Sequence, residues 1–106
     1  MSFRFMRVVL FYDLPAVTFA ERRTHAKFRR TLIKDGFIML QESVYCKLAL
    51  NMSYVKAIIK DVEAYKPEIG LIQIITITEN QYERMIYVLG EKTSNVIDSN
   101  ERIVFI

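Results

Sequence analysis

The chain has 106 residues, of which 52% are hydrophobic, so one domain with a real core is expected and intrinsic disorder is excluded. No apolar run reaches the roughly 18 residues of a membrane span, and one cysteine, Cys46, excludes an intramolecular disulfide, which suits a reducing cytoplasm. The net charge of +3 is uneven: residues 1–50 carry nine Lys/Arg against four Asp/Glu, whereas residues 51–106 carry six against eight, and such asymmetry points to an anionic partner.

The start, MSFRFMRVVLFY, is basic and apolar like a signal peptide but lacks a small-residue cleavage site. Residues 4–12 read instead as a central strand, apolar and β-branched on both faces. Asp13, Leu14 and Pro15 lead into a helix with Thr18 as N-cap and Glu21 completing a capping box. That helix runs to about Lys34, and Asp35-Gly36 stops it. Residues 37–41 and 43–50 read as two strands joined by a bend at Gln41-Glu42. In the second, Val44, Cys46, Leu48 and Leu50 share one face, taken as the core face, and Ser43, Tyr45 and Lys47 share the other. Asn51 to Ser53 opens a second helix, with Val55, Ile58, Ile59 and Val62 as its apolar stripe, ended by Lys66-Pro67 and Gly70. Residues 71–78 read as another buried strand, 79–84 as a helical turn, 85–89 as a short strand, 91–100 as a loop, and RIVFI at the end as strand-like.

Strand, helix, strand, strand, helix, strand with right-handed crossovers is the ferredoxin-like α+β arrangement, an antiparallel sheet with two helices on one face. The expected division is a core over about 1–80 and an extension over 81–106. The terminal strand has no slot in a four-stranded sheet. It would extend an edge or pair with a second subunit.

At 100° per residue, Arg23, Lys27, Arg30 and Lys34 line one stripe of the first helix, flanked by Arg22 and Arg29. Phe28 and Leu32, with His25 beside them, face the sheet. Residues 20–34 hold six basic residues and one acid. Phosphates would neutralise such a stripe, with steep salt dependence and backbone rather than base contacts; a solvated helix face is the plain alternative. Asp13, at the open end of a central strand, is either an Asx-type turn former or a Mg²⁺ ligand. No second acid is close in sequence, so metal binding would need two Asp13 copies across a dimer axis. His25 reads as a packed histidine, Cys46 as a buried inert thiol, and Tyr12 and Tyr45 as packing residues. No Gly-rich phosphate loop, nucleophile elbow or metal-binding cysteine cluster is present.

The strand ending in Tyr12-Asp13, the basic helix with Arg22-Arg23 and Lys27-Phe28-Arg29, then Gly36-Phe37 and Gln41-Glu42-Ser43-Val44-Tyr45, together resemble CRISPR-associated protein two, nearly end to end. KFRRTLIKDGFIMLQESVY, QYERMIYVLG and ERIVFI look most like members that accompany type II-A systems. The resemblance implies a ferredoxin-like homodimer that sits between integrase dimers of CRISPR-associated protein one and holds prespacer duplex DNA during spacer acquisition. It also implies Mg²⁺-dependent cleavage of RNA or DNA, with Asp13 as the catalytic metal ligand. Arg22 and Arg23 both fit the family's arginine position, and Gln41 and Ser43 fit its strand pattern in a structural role. Two other readings stay open: a stand-alone metal-dependent endoribonuclease of the toxin type, acting on single-stranded RNA, and a regulatory module for a small ligand. The basic stripe argues against the last.

Overall fold

A computed structural model describes residues 5–92. In chain order the elements are β1 (Met6–Asp13), α1 (Phe19–Lys34), β2 (Ile38–Gln41), β3 (Val44–Ala49), α2 (Met52–Tyr65), β4 (Leu71–Thr78) and α3 (Glu79–Glu83). The sheet order is β2-β3-β1-β4, with β1 antiparallel to both β3 and β4. This is the expected ferredoxin-like topology, with β1 central and α1 and α2 packed on one face.

Local chemistry sets the helix limits. The Thr18 hydroxyl accepts from the Glu21 N–H, and the Glu21 carboxylate accepts from the Thr18 N–H, a complete capping box. Asp35 ends α1, and Gly36 takes φ +102°, a backbone region other residues rarely enter. Asn51 caps α2 by accepting from the N–H groups of Ser53 and Tyr54. The stripe of α2 buries Val55, Ile58 and Val62 against Phe28 and Leu32 of α1 and Val8, Leu10 and Tyr12 of β1. Each fully buried aliphatic side chain here contributes about 2 kcal/mol.

Four expectations need correction or fall outside the described chain. On β3, Tyr45 and Ala49 face the helices and are fully buried, whereas Leu48 is 46% exposed on the other face. Tyr45 wins the core position because its ring stacks on Tyr12 at 5.9 Å. Cys46 is buried as expected, but on the face away from the long helices. On β4, Leu71 and Ile75 lie on the face away from the long helices and stay about half exposed rather than buried. Residues 85–89 form no strand; they follow α3 as irregular chain, although the outer edges of β2 and β4 are unpaired among the described residues. The loop beyond residue 92 and the RIVFI tail lie outside the described residues. No helix among the described residues is long and apolar enough to cross a membrane.

Candidate nucleic-acid interface

The stripe on α1 is present as read. Arg22, Arg23, Lys27, Arg29, Arg30 and Lys34 are all exposed, while Phe28 and Leu32 are buried on the opposite side. Among the described residues no carboxylate forms an ion pair with any of the six. They divide by what they touch. Arg22 donates Nη1–H to the Val17 carbonyl at 2.6 Å, so its head is tied to the loop before the helix. Arg29 donates Nε–H to the Tyr45 hydroxyl at 3.2 Å, so it leans over the sheet. The guanidinium of Arg23 lies 5.8 Å from the Phe19 ring centroid. Lys27, Arg30 and Lys34 make no side-chain bond to the described chain.

Beside the stripe, a polar corner forms where β1 ends. Tyr12 is buried, with its ring edge-on to His25 at 5.4 Å and to Phe28 at 5.2 Å. His25 is thus a packed side chain. Burial, aided by the neighbouring Tyr45 hydroxyl, pushes the Tyr12 phenol up to about 12. At neutral pH it is therefore a hydrogen-bond donor and no general base. Ser43, at φ +64° in the β2–β3 turn, accepts from the Tyr12 N–H at 3.0 Å. The structural role expected of Ser43 is played by its backbone.

Asp13 is the last residue of β1, opposite Leu71 of β4, and its side chain is exposed. Among the described residues its carboxylate makes no hydrogen bond. No group of three or more His, Cys, Asp and Glu that could hold a metal occurs among the described residues. One chain thus presents a free carboxylate at the sheet end, with the basic helix starting a few residues on.

Two polar clusters escaped the sequence reading. Arg7 makes a two-pronged ion pair with Glu79, at 2.9 and 2.6 Å, bonds Cys46 Sγ at 3.6 Å, and lies 4.2 Å from the Tyr82 ring centroid. Burial opposes the Arg7 charge, but the hydrogen bonds to Glu79 and Cys46 outweigh it and raise the guanidinium above its ordinary value. The cluster clamps α3 to the sheet. Lys47 bonds the Asp35 carbonyl and carboxylate, and the Tyr65 hydroxyl donates to the same carboxylate at 2.9 Å. Burial and Asp35 both raise the Tyr65 phenol. This ties the end of α1 to β3 and α2. The Thr78–Gln81 spacing was a readable capping box for α3; the ion pairs join residues far apart in sequence and left no local signal.

The model of the family described as CRISPR associated protein Cas2 matches residues 6–85. A CRISPR-associated endoribonuclease Cas2 of Treponema denticola is 44% identical over 99 residues, 93% of this chain and 98% of that protein. One from Streptococcus mutans is 44% identical over 101 residues, 95% of this chain and 93% of that protein. A crystal structure of Cas2 superposes with a TM-score of 0.57, covering 87% of this chain and 94% of that one; at 17% identity it supports the fold alone.

Proposed function

The chain belongs to the CRISPR-associated Cas2 family, and on that premise we propose that it serves spacer acquisition as a homodimer. It holds prespacer duplex DNA between dimers of the integrase, CRISPR-associated protein one. The observation that carries this reading is the exposed stripe of Arg23, Lys27, Arg30 and Lys34, without a carboxylate partner among the described residues. Cations repeating along a helix suit a phosphate backbone, so the grip is independent of sequence. Dimerisation is supported by the sheet face away from the long helices, where Phe11, Leu48 and Ile75 are 39%, 46% and 51% exposed. Apposing two such faces about a twofold axis removes them from water and places two stripes on one particle.

Duplex binding measured across a salt series tests this. The triple variant Arg23→Ala, Lys27→Ala, Arg30→Ala should flatten the log–log salt slope by about 0.9 per lost phosphate contact. An unchanged slope refutes the stripe as the DNA-binding element.

A metal-dependent endonuclease activity is the second reading, favoured by the free Asp13 carboxylate and by the endoribonuclease names of the relatives. It also covers a stand-alone ribonuclease of the toxin type. One carboxylate per chain is too few for a dedicated site. Mg²⁺, however, takes one or two carboxylates and keeps its waters, so Asp13 from two copies fits that donor chemistry. Bound there, the ion supplies Lewis-acid polarisation of a phosphoryl oxygen and a more acidic water. The chain's own part is to bind the backbone through Arg23 and Lys27. Asp13→Asn should abolish any cleavage of single-stranded RNA or duplex DNA that chelator also abolishes, while leaving duplex binding intact. Equal cleavage by the variant would remove Asp13 from the chemistry.

A further inference from the structure

A core ring at position 45 needs no hydroxyl, since a phenylalanine fills the same space without a polar atom to satisfy. Tyr45 is fully buried, yet its hydroxyl reaches α1 and accepts the Arg29 Nε–H at 3.2 Å. The ring has little room to move. It sits within β3, opposite Leu10 of β1 and Met39 of β2, and stacks on Tyr12 at 5.9 Å with 19° between the planes. Tyr12 in turn meets Phe28, the neighbour of Arg29 on α1, edge-on at 5.2 Å. The hydroxyl is therefore a fixed point, and the exposed Arg29 is anchored to it.

A guanidinium carries five N–H donors. Tyr45 takes the one on Nε, and the four on Nη1 and Nη2 make no hydrogen bond to the described residues. Those four form the planar fork that grips a phosphate through two parallel bonds. A flexible side chain loses rotamer freedom when it binds, which weakens its net contribution. Lys27, Arg30 and Lys34 have no anchor among the described residues and lose that freedom on binding, whereas Arg29 lost it in folding. We propose that Tyr45 is a positioning residue for Arg29: its hydroxyl holds the guanidinium as a fixed fork for one backbone phosphate, while Lys27, Arg30 and Lys34 chiefly attract the duplex. Arg29 then governs how long the duplex stays, and the three unanchored cations govern how fast it arrives. This rests on the nucleic-acid reading above. The competing reading is that Arg29 does no more than satisfy a buried hydroxyl.

The test is stopped-flow binding of a fluorescein-labelled blunt DNA duplex to the full chain. The proteins are wild type, Tyr45→Phe, Arg29→Ala, the double variant of these two, and Arg30→Ala. Arg29→Ala should raise koff about tenfold and Tyr45→Phe about threefold. Tyr45→Phe removes no charge, so the salt slope of its affinity should equal that of wild type. The double variant should dissociate like Arg29→Ala alone, because without the guanidinium the hydroxyl has nothing to hold. Arg30→Ala should lower kon more than it raises koff. A Tyr45→Phe that dissociates like wild type, or whose effect adds to that of Arg29→Ala, overturns the positioning role and leaves duplex binding by the stripe standing. A wild-type koff for Arg29→Ala overturns it as well. Should Tyr45→Phe fail to fold, Arg29→Lys on the surface takes its place, keeping the charge and losing the fork. Faster dissociation at an unchanged salt slope is expected of it, and a wild-type koff refutes the fork. Failure of the wild type to bind the duplex overturns the nucleic-acid reading together with this one.

Discussion

Asp13 owes its place to a glycine just before the neighbouring strand. Gly70 precedes β4 at φ +124°, and a Cβ there would collide with Leu14 Cδ2 and lie 3.1 Å from the Asp13 carbonyl. Both the backbone region and the close approach demand glycine. Gly70→Ala should therefore cost about 2 kcal/mol of stability in urea denaturation. A midpoint equal to wild type would show that the contact between the strand ends is slack. At this scale the sequence was readable where a residue's role is local: Asp13 at a strand end, His25 on the apolar flank, Cys46 buried. It misled on β3, where alternation alone cannot say which face meets the helices. Tyr45 went inward because Tyr12 was there to stack on, and Tyr12 lies on another strand.

Among the elements, α1 was legible to the residue. Its start, stop and two faces are written in capping chemistry and a period of 3.6. Backbone N–H groups of Thr18 and Val17 hold the Glu21 carboxyl below its ordinary value of 4.5. A depressed carboxyl stabilises the fold fully above that ordinary value and loses the contribution as pH falls through the lowered one. The capping box should thus be complete at neutral pH and dissolve in acid. Thr18→Ala should cost about 1 kcal/mol at neutral pH and fray the turn that carries Phe19. Denaturant midpoints and amide exchange at Glu21, whose N–H donates to the Thr18 hydroxyl, check this, and wild-type exchange there would mean the cap is dispensable. Strands were less legible than helices. β4 read as buried because its residues are apolar, yet burial of a strand depends on what covers each face, and one face of β4 looks away from the long helices. Residues 85–89 had strand-like composition but pair with neither free edge of the sheet.

For the whole molecule, the proposed dimer rests on the open sheet face. Ile75 lies opposite Val9 on that face, about half exposed. A carboxylate there would be expensive to bury between two apolar faces. The wild type should sediment as a dimer and Ile75→Glu as a monomer with unchanged circular dichroism; a dimeric variant would place the contact elsewhere. The sequence by itself determined the element order, both helices with their caps, the cation stripe and the position of Asp13, because each follows from chemistry within a few residues. Only the tertiary structure decided which face of β3 is core, that β4 is an edge, and that Arg7 clamps α3 through Glu79. It also decided that, among the described residues, Arg22 and Arg29 are tied to the chain while Lys27, Arg30 and Lys34 are not. These outcomes depend on which distant segments share a surface, and that is settled by packing after the local elements have formed.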